Sequence, residues 1–429
     1  MTPTELAVLD QVTRQADDMV AFTQELVRIP TVNPPGHCYA QCAELIAGKL
    51  EDFGYSVEML PAEGLPEHTT EHPRINVIGT LKAPQSTQHK TLHFNGHYDV
   101  VPPGSGWSVD PFGAELREGR IYGRGTCDQK AGIAASLNAV EAIRRVGIIL
   151  AGTIEQSATP DEESGGFAGL GWLCDAGRIA RNRQNYVVIT EPLDPERVCI
   201  GHRGVYWFEL TTLGRVGHGS MPGLAVNAAE QMARLVQVFE AQLKPALAQR
   251  TSNVPVEPEQ ARHPSINLNS IHAGQPVGGW QTPAVPDRCT AIFDRRFIHE
   301  ESFDDVRAEI VRLLDAQGVA YELRDVMRVD PLLGNSDDVV AATAGRAIHD
   351  ALGIEPSFIV SPGTYDQKHV VRRAGIQECI AYGPGRLVLA HQPDEHVAVA
   401  DLVASAKVMA LLALRLLELT GTRTKRARL

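Results

Sequence analysis

From Ile75 to Thr190 the chain alternates short apolar runs, rich in Val and Ile, with stretches of helical periodicity. Runs at Ile75–Leu81, Lys90–Phe94, Gly152–Ser157 and Tyr186–Thr190 read as strands, and Ala131–Val146 and Gly166–Ala176 read as helices. Strands that alternate with helices predict an α/β domain on a largely parallel central sheet. Helical spacing at about 4–27 and 38–53, then a strand at about 55–60, precede this core. Pro30 and the N-P-P-G of Asn33 to Gly36 stop the first helix.

Near Gly201 the pattern changes. Val205–Leu213 alternates like a half-exposed strand, Asn227–Leu243 is amphipathic, and strands are expected at Ser265–His272 and Asp287–Arg296. A helix over Phe303–Gln317 and a strand over Val319–Met327 complete a split βαβ pattern. The α/β pattern returns in the helix Asp337–Leu352, the runs Pro356–Val360 and Gln377–Tyr382, and the helix Ala398–Leu419. The expected organisation is a catalytic domain of residues 1–204 and 326–429, interrupted by an α+β domain of 205–325. A chain of 429 residues is long enough for two cores.

A net charge of −12 argues against a nucleic-acid binder, which would present a basic face. No stretch approaches the roughly 20 apolar residues that span a bilayer, and the first residues lack the pattern of a signal peptide. Seven cysteines, an odd number scattered without C-x-x-C pairs, fit reduced thiols in a cytoplasmic protein. The basic run Arg423 to Arg428 reads as a frayed, solvated terminus.

Five acidic and histidine clusters fall at strand ends or in loops of the α/β part. In H-F-N-G-H-Y-D-V-V-P-P, His97 and Asp99 sit one residue apart and project to the same side of a strand. Such a carboxylate can hold one ring nitrogen and leave the other for a metal; alone, the pair is also an ordinary strand end. G-R-G-T-C-D-Q-K presents Asp128 before a helix. By itself that segment reads equally as a Gly-rich phosphate loop or as an N-cap. T-P-D-E-E-S-G-G carries Glu162 and Glu163, either a solvated loop or carboxylates at the rim of a site. Glu191 ends the apolar strand V-V-I-T-E-P, where ligands gather in open α/β sheets. His391 lies in A-H-Q-P-D-E-H-V before the last helix. Together these residues form an O/N donor set suited to zinc, manganese or cobalt.

In this order, G-H-x-D-V-V-P, G-R-G-x-x-D-x-K, D-E-E-x-G, the strand-end E-P and A-H-x-P-D-E resemble metallopeptidase family 20, over essentially the whole chain. That family includes acetylornithine deacetylase, succinyl-diaminopimelate desuccinylase, aminoacylase-1 and carboxypeptidases of the G type. The resemblance implies a zinc-peptidase-like catalytic domain with an inserted dimerisation or lid domain. It implies two zinc ions, with cobalt or manganese as substitutes: His97 and Glu191 on one, Glu163 and His391 on the other, and Asp128 between them. Asp99 would orient His97, Glu162 would be the general base acting on a water between the metals, and a cis peptide would follow Asp128. His218 in V-G-H-G-S-M-P would stabilise the oxyanion from the partner subunit of a homodimer. Arg296, the turn at Gly363 and Thr364, and Arg203 match substrate contacts. One departure is Pro283, where relatives carry an Asn, with Gln281 or Thr282 as replacements for its amide.

The implied reaction is hydrolysis of the amide of an N-acyl amino acid; Glu191, where aminopeptidase-like relatives more often have Asp, favours that reading. A dipeptidase or glutamate-type carboxypeptidase with the same centre is the alternative. A metal-binding protein without catalysis is disfavoured, because Glu162 would then have no use.

Overall fold

The computed structural model describes residues 1–82, 90–274 and 283–417, and the backbone of 419–422. Gln281, Thr282 and the basic run 423–428 lie outside the described residues. The chain divides into two compact units. One comprises Met1–Ile200, Gly334–Phe358 and Tyr365–Leu429, the other Gly201–Leu333 and Ile359–Thr364. The short segment Ile359–Thr364, which carries Gly363 and Thr364, therefore lies with the second unit.

The first unit is built on a mixed sheet. Its strands run in the order Ser56–Pro61, Ile75–Leu81, Thr153–Thr159, Thr91–His97, Tyr186–Ile189, Cys379–Ala381 and Arg197–His202. The four central strands, from Thr153–Thr159 to Cys379–Ala381, are parallel, and antiparallel strands flank them. Every residue of Thr91–His97 is buried, as expected where helices cover both faces. The helix Ala131–Arg145 is buried from Ala131 to Ile143 and packs against Val399–Leu417.

The expected helix over 4–27 is two helices, Pro3–Arg14 and Ala16–Val27. At the break Gln15 is buried, and its amide donates to Asn138 Oδ1 at 3.3 Å. Over 166–176, regular helix begins only at Trp172, because Gly169 takes a non-helical conformation. The strand Arg197–His202, which the periodicity does not announce, lies where the α/β pattern gives way to the inserted one.

The second unit is an antiparallel sheet in the order Ser265–Ala273, Arg288–Phe297, Gly204–Leu213 and Tyr321–Val329. Helices Ala228–Val238 and Phe303–Asp315 contribute Met232, Leu235, Ile310 and Leu314 to its core. Phe208 and Phe293 stack there with centroids 5.1 Å apart. No described helix is long and apolar enough to cross a membrane.

Candidate metal centre

Three neighbouring parallel strands end side by side in the first unit. His97 closes the middle one, the turn Asp161–Ser164 follows Thr159 on one side, and Glu191 follows Ile189 on the other. Asp128 arrives from the turn before Ala131–Arg145. That helix begins hard against the Glu191 strand end: a Cβ at Gly132 would meet the Thr190 carbonyl oxygen at 2.2 Å, so only glycine fits. His391 comes from the segment leading into Val399–Leu417 and has a φ of 62°.

These side chains converge. Ligand atoms of His97, Asp128 and Glu191 lie within 4.8 Å of one another, and so do those of Asp128, Glu163 and His391. Asp128 is common to both triads. Its Oδ1 is 3.1 Å from His97 Nε2 and its Oδ2 3.5 Å from His391 Nε2. His391 Nε2 lies 3.1 Å from Glu163 Oε2. The Asp128–Gln129 peptide is cis. Asp128 is not the N-cap of the following helix, whose cap position is Lys130. The glycine-rich turn is not a vacant phosphate cradle either, because the N–H groups of Gly125, Cys127 and Asp128 all donate to Glu395 Oε1.

Asp99 reaches further than His97. His97 Nδ1 faces the Asp99 carbonyl at 3.0 Å and Asp99 Oδ1 at 3.3 Å, which aims Nε2 at Asp128. The same carboxylate accepts from the Glu162 N–H at 3.1 Å, the Glu163 N–H at 3.2 Å and Asn33 Nδ2 at 2.9 Å. Asp161, at a φ of 62°, anchors the turn to Arg74 and Tyr39, each 2.8 Å away. Gln129 donates to Glu191 Oε1 at 2.6 Å. Glu162 meets Lys368 Nζ at 3.3 Å, and Lys368 is buried. Asn33, Gln129, Lys368 and Glu395 are supports to which the sequence pattern assigns no role. Asn33 and Glu395 stand inside segments that are conspicuous for other reasons, whereas nothing local marks Lys368.

The cluster is electrostatically unbalanced without a cation. Burial, then the charge of Asp128, pushes Glu163 up to about 7 and Glu191 well above the usual carboxylate range. Burial also opposes ionisation of Asp128, but hydrogen bonds from His391 and His97 outweigh it and hold that carboxyl low. Burial pulls His97 and His391 down, yet their carboxylate partners raise both on balance. Three crowded carboxylates and two imidazoles with aimed Nε2 atoms are the donor chemistry of a divalent transition ion. The residues present fit such ions.

The remaining candidates belong to the second unit. His218 is exposed, and the Ser220 N–H donates to its Nδ1 at 3.2 Å, which puts the ring proton on Nε2. The Pro283 carbonyl accepts from the Gly219 N–H at 2.7 Å beside it. Asp294 grips Arg296 through two bonds of 2.7 and 2.9 Å. Arg203 donates to the Pro362 and His263 carbonyls, both at 2.9 Å, and so braces the turn that carries Gly363 and Thr364.

The model of peptidase family M20/M25/M40 matches residues 93–415. A succinyl-diaminopimelate desuccinylase of Rhodospirillum centenum is 30% identical over 398 residues, covering 90% of this chain and 94% of that protein. Another, of Thioalkalivibrio sulfidiphilus, is 28% identical over 407 residues, covering 93% and 99%. Human carnosine dipeptidase 1 has a similar fold, with a TM-score of 0.78 at 19% identity over 96% of this chain and 98% of its own. So has an M20 family metallo-carboxypeptidase of Sulfolobus solfataricus, with a TM-score of 0.72 at 20% identity over 92% and 98%.

Proposed function

We propose, from the premise that this chain belongs to peptidase family M20/M25/M40 and is a metal-dependent amide hydrolase, that it removes the acyl group from an N-acyl amino acid. One observation carries the reading: two ligand triads share Asp128 while the neighbouring Glu162 stays outside both. His97, Asp128 and Glu191 would hold one divalent ion, and Asp128, Glu163 and His391 the other. Zinc is the proposed metal, with cobalt or manganese as substitutes. When bound, the ions supply Lewis acidity toward water and the scissile carbonyl. Glu162 takes the proton of the attacking water and passes it to the leaving amine nitrogen. Asp99 keeps His97 in the tautomer that presents Nε2 and, through two peptide N–H groups, sets the turn that carries the base.

His218 is the proposed oxyanion donor, supplied by the partner subunit of a homodimer, and its Nε2–H tautomer suits the task. Arg296 is assigned to a carboxylate of the substrate, for which it exchanges Asp294, and Arg203 holds the substrate-contacting turn of Gly363 and Thr364. We assign the second unit to dimerisation and closure over the substrate. The scattered, odd-numbered cysteines support a cytoplasmic location. The names of the two desuccinylase relatives support an acyl, and specifically a succinyl, substrate class.

The test is a panel of N-succinyl, N-acetyl and N-formyl amino acids beside dipeptides, offered to zinc-loaded and chelator-treated protein. Zinc-dependent release of the amino acid from an acyl substrate is expected, and turnover of dipeptides alone discards the deacylase reading in favour of a dipeptidase. In Glu162→Gln, turnover is expected to fall about 10²- to 10⁴-fold with metal content unchanged.

A further inference from the structure

Glu395 is fully buried, four residues beyond His391 in the same segment. One of its oxygens, Oε1, accepts the N–H groups of Gly125, Cys127 and Asp128 at 3.0, 2.9 and 3.0 Å. The other pairs with Arg124, itself only 2% exposed. The Glu395 carbonyl accepts the Gly123 N–H at 2.8 Å. The glycine-rich turn is thus folded around a single carboxylate that belongs to the segment carrying His391. Converging N–H groups of this kind form a nest for an anion, and here the protein fills it with its own side chain.

We propose that Glu395 is the positioning residue of the metal pair, fixing the main chain of Asp128, the shared ligand, and tying it to the segment of His391. The inference rests on the two-ion reading above and adds a consequence to it. Asp128 belongs to both triads, so releasing its backbone loosens both ion sites together, not one of them. Lys130 anchors the same turn from its far end, through the Leu26 and Ile29 carbonyls at 2.9 and 2.8 Å.

The test titrates metal-free wild type, Glu395→Gln and Glu395→Asp with zinc against a chromophoric chelator, with folding checked by circular dichroism in the same samples. Gln keeps the shape but removes the charge facing Arg124, and Asp keeps the charge but draws it away from the three N–H groups. Both variants are expected to bind each of two ions about 10- to 100-fold more weakly, the usual effect of losing an outer partner of a metal ligand. A merely structural role would lower the melting temperature and leave the zinc affinity of the folded protein unchanged. If Glu395→Gln does not fold, Glu395→Asp decides. Wild-type affinity in the folded variants, or weakening at one site alone, overturns the inference while the two-ion reading stands. A wild type that binds no divalent ion overturns both.

Discussion

Replacing Asp99 by Asn removes one charge and turns one acceptor into a donor at a fully buried position. Both oxygens are engaged, so the new NH2 has two places to go. At the Oδ1 position it faces the Glu162 N–H and His97 Nδ1. To accept that NH2, His97 would have to carry its proton on Nε2, the nitrogen aimed at Asp128, which removes it as a ligand. At the Oδ2 position the NH2 faces Asn33 and the Glu163 N–H. Asn33 can turn its amide to offer oxygen if the Ser164 hydroxyl, which accepts from it, redirects its proton from the Asp161 carbonyl, a bond of 3.3 Å. The Glu163 N–H then has no acceptor. One buried unmet donor costs about 1–3 kcal/mol, and the bonds that remain lose their charge assistance. The expected outcome is an unfolding free energy about 2–4 kcal/mol lower and zinc affinity about 10- to 100-fold weaker. Thermal melting of chelator-treated protein and zinc titration against a competing chelator measure the two effects. An Asp99→Asn protein with wild-type melting and zinc affinity would refute the assignment of Asp99 as the clamp on His97 and the Glu162–Glu163 turn.

The pH dependence has a definite sign. Glu163 and Glu191 are raised by burial and by Asp128, and His97 and His391 by their carboxylates, so between about pH 5 and 8 these four groups hold more protons in the metal-free folded state than in the unfolded chain. The stability they contribute therefore falls as pH rises through that window. Zinc needs the same groups deprotonated, so the gap in melting temperature between zinc-loaded and chelator-treated protein should widen from pH 5.5 to 8; a constant gap contradicts the ligand set. His218→Ala should lower kcat about 10²- to 10³-fold with metal content intact. Mixing it with Glu162→Gln under subunit exchange should restore roughly a quarter of wild-type activity, because half the dimers then hold one complete site; no recovery excludes action in trans. Lys368→Met should lower kcat about 10-fold or more with KM unchanged, and Lys368→Arg should recover most of the loss. Equal turnover in Lys368→Met would remove Lys368 from the site.

The candidate site residues are legible in the sequence because the local pattern marks them. His97 and Glu191 stand where an apolar strand stops, and Glu162 and Glu163 stand between a strand and paired glycines. Their supports are not legible. Asn33 reads as part of a helix stop, and its amide meets Asp99 only because the chain returns 66 residues later. Glu395 falls within a motif, but its partners lie some 270 residues upstream, at a separation no local rule bridges. The run Pro356–Val360 reads as extended, and Ser357–Ser361 is a strand. Nothing local indicates that its end packs with the second unit. Periodicity reports which face of an element is buried; it does not report which other element buries it.

Glu162 and Glu163 are identical neighbours that tertiary contacts place in different surroundings. As free side chains either could ligate a metal or take a proton. Their peptide N–H groups both end on Asp99, so the main chain does not distinguish them. Their side chains part. Glu163 meets His391, a half-exposed imidazole that is itself a donor and can yield its place to a divalent ion. Glu162 meets Lys368, a buried ammonium with no lone pair to offer while charged, which also stands 3.8 Å from Asp366. A divalent ion brought to about 4 Å from that ammonium would be repelled by on the order of 8 kcal/mol at an effective dielectric constant near 20. On the proposed roles, Lys368 therefore keeps metal away from Glu162 and leaves its carboxylate for proton transfer, whereas the His391 beside Glu163 loses its extra proton when it becomes a ligand. On those roles, the contact that separates the two glutamates comes from a lysine 206 residues downstream rather than from anything in the D-E-E-S run.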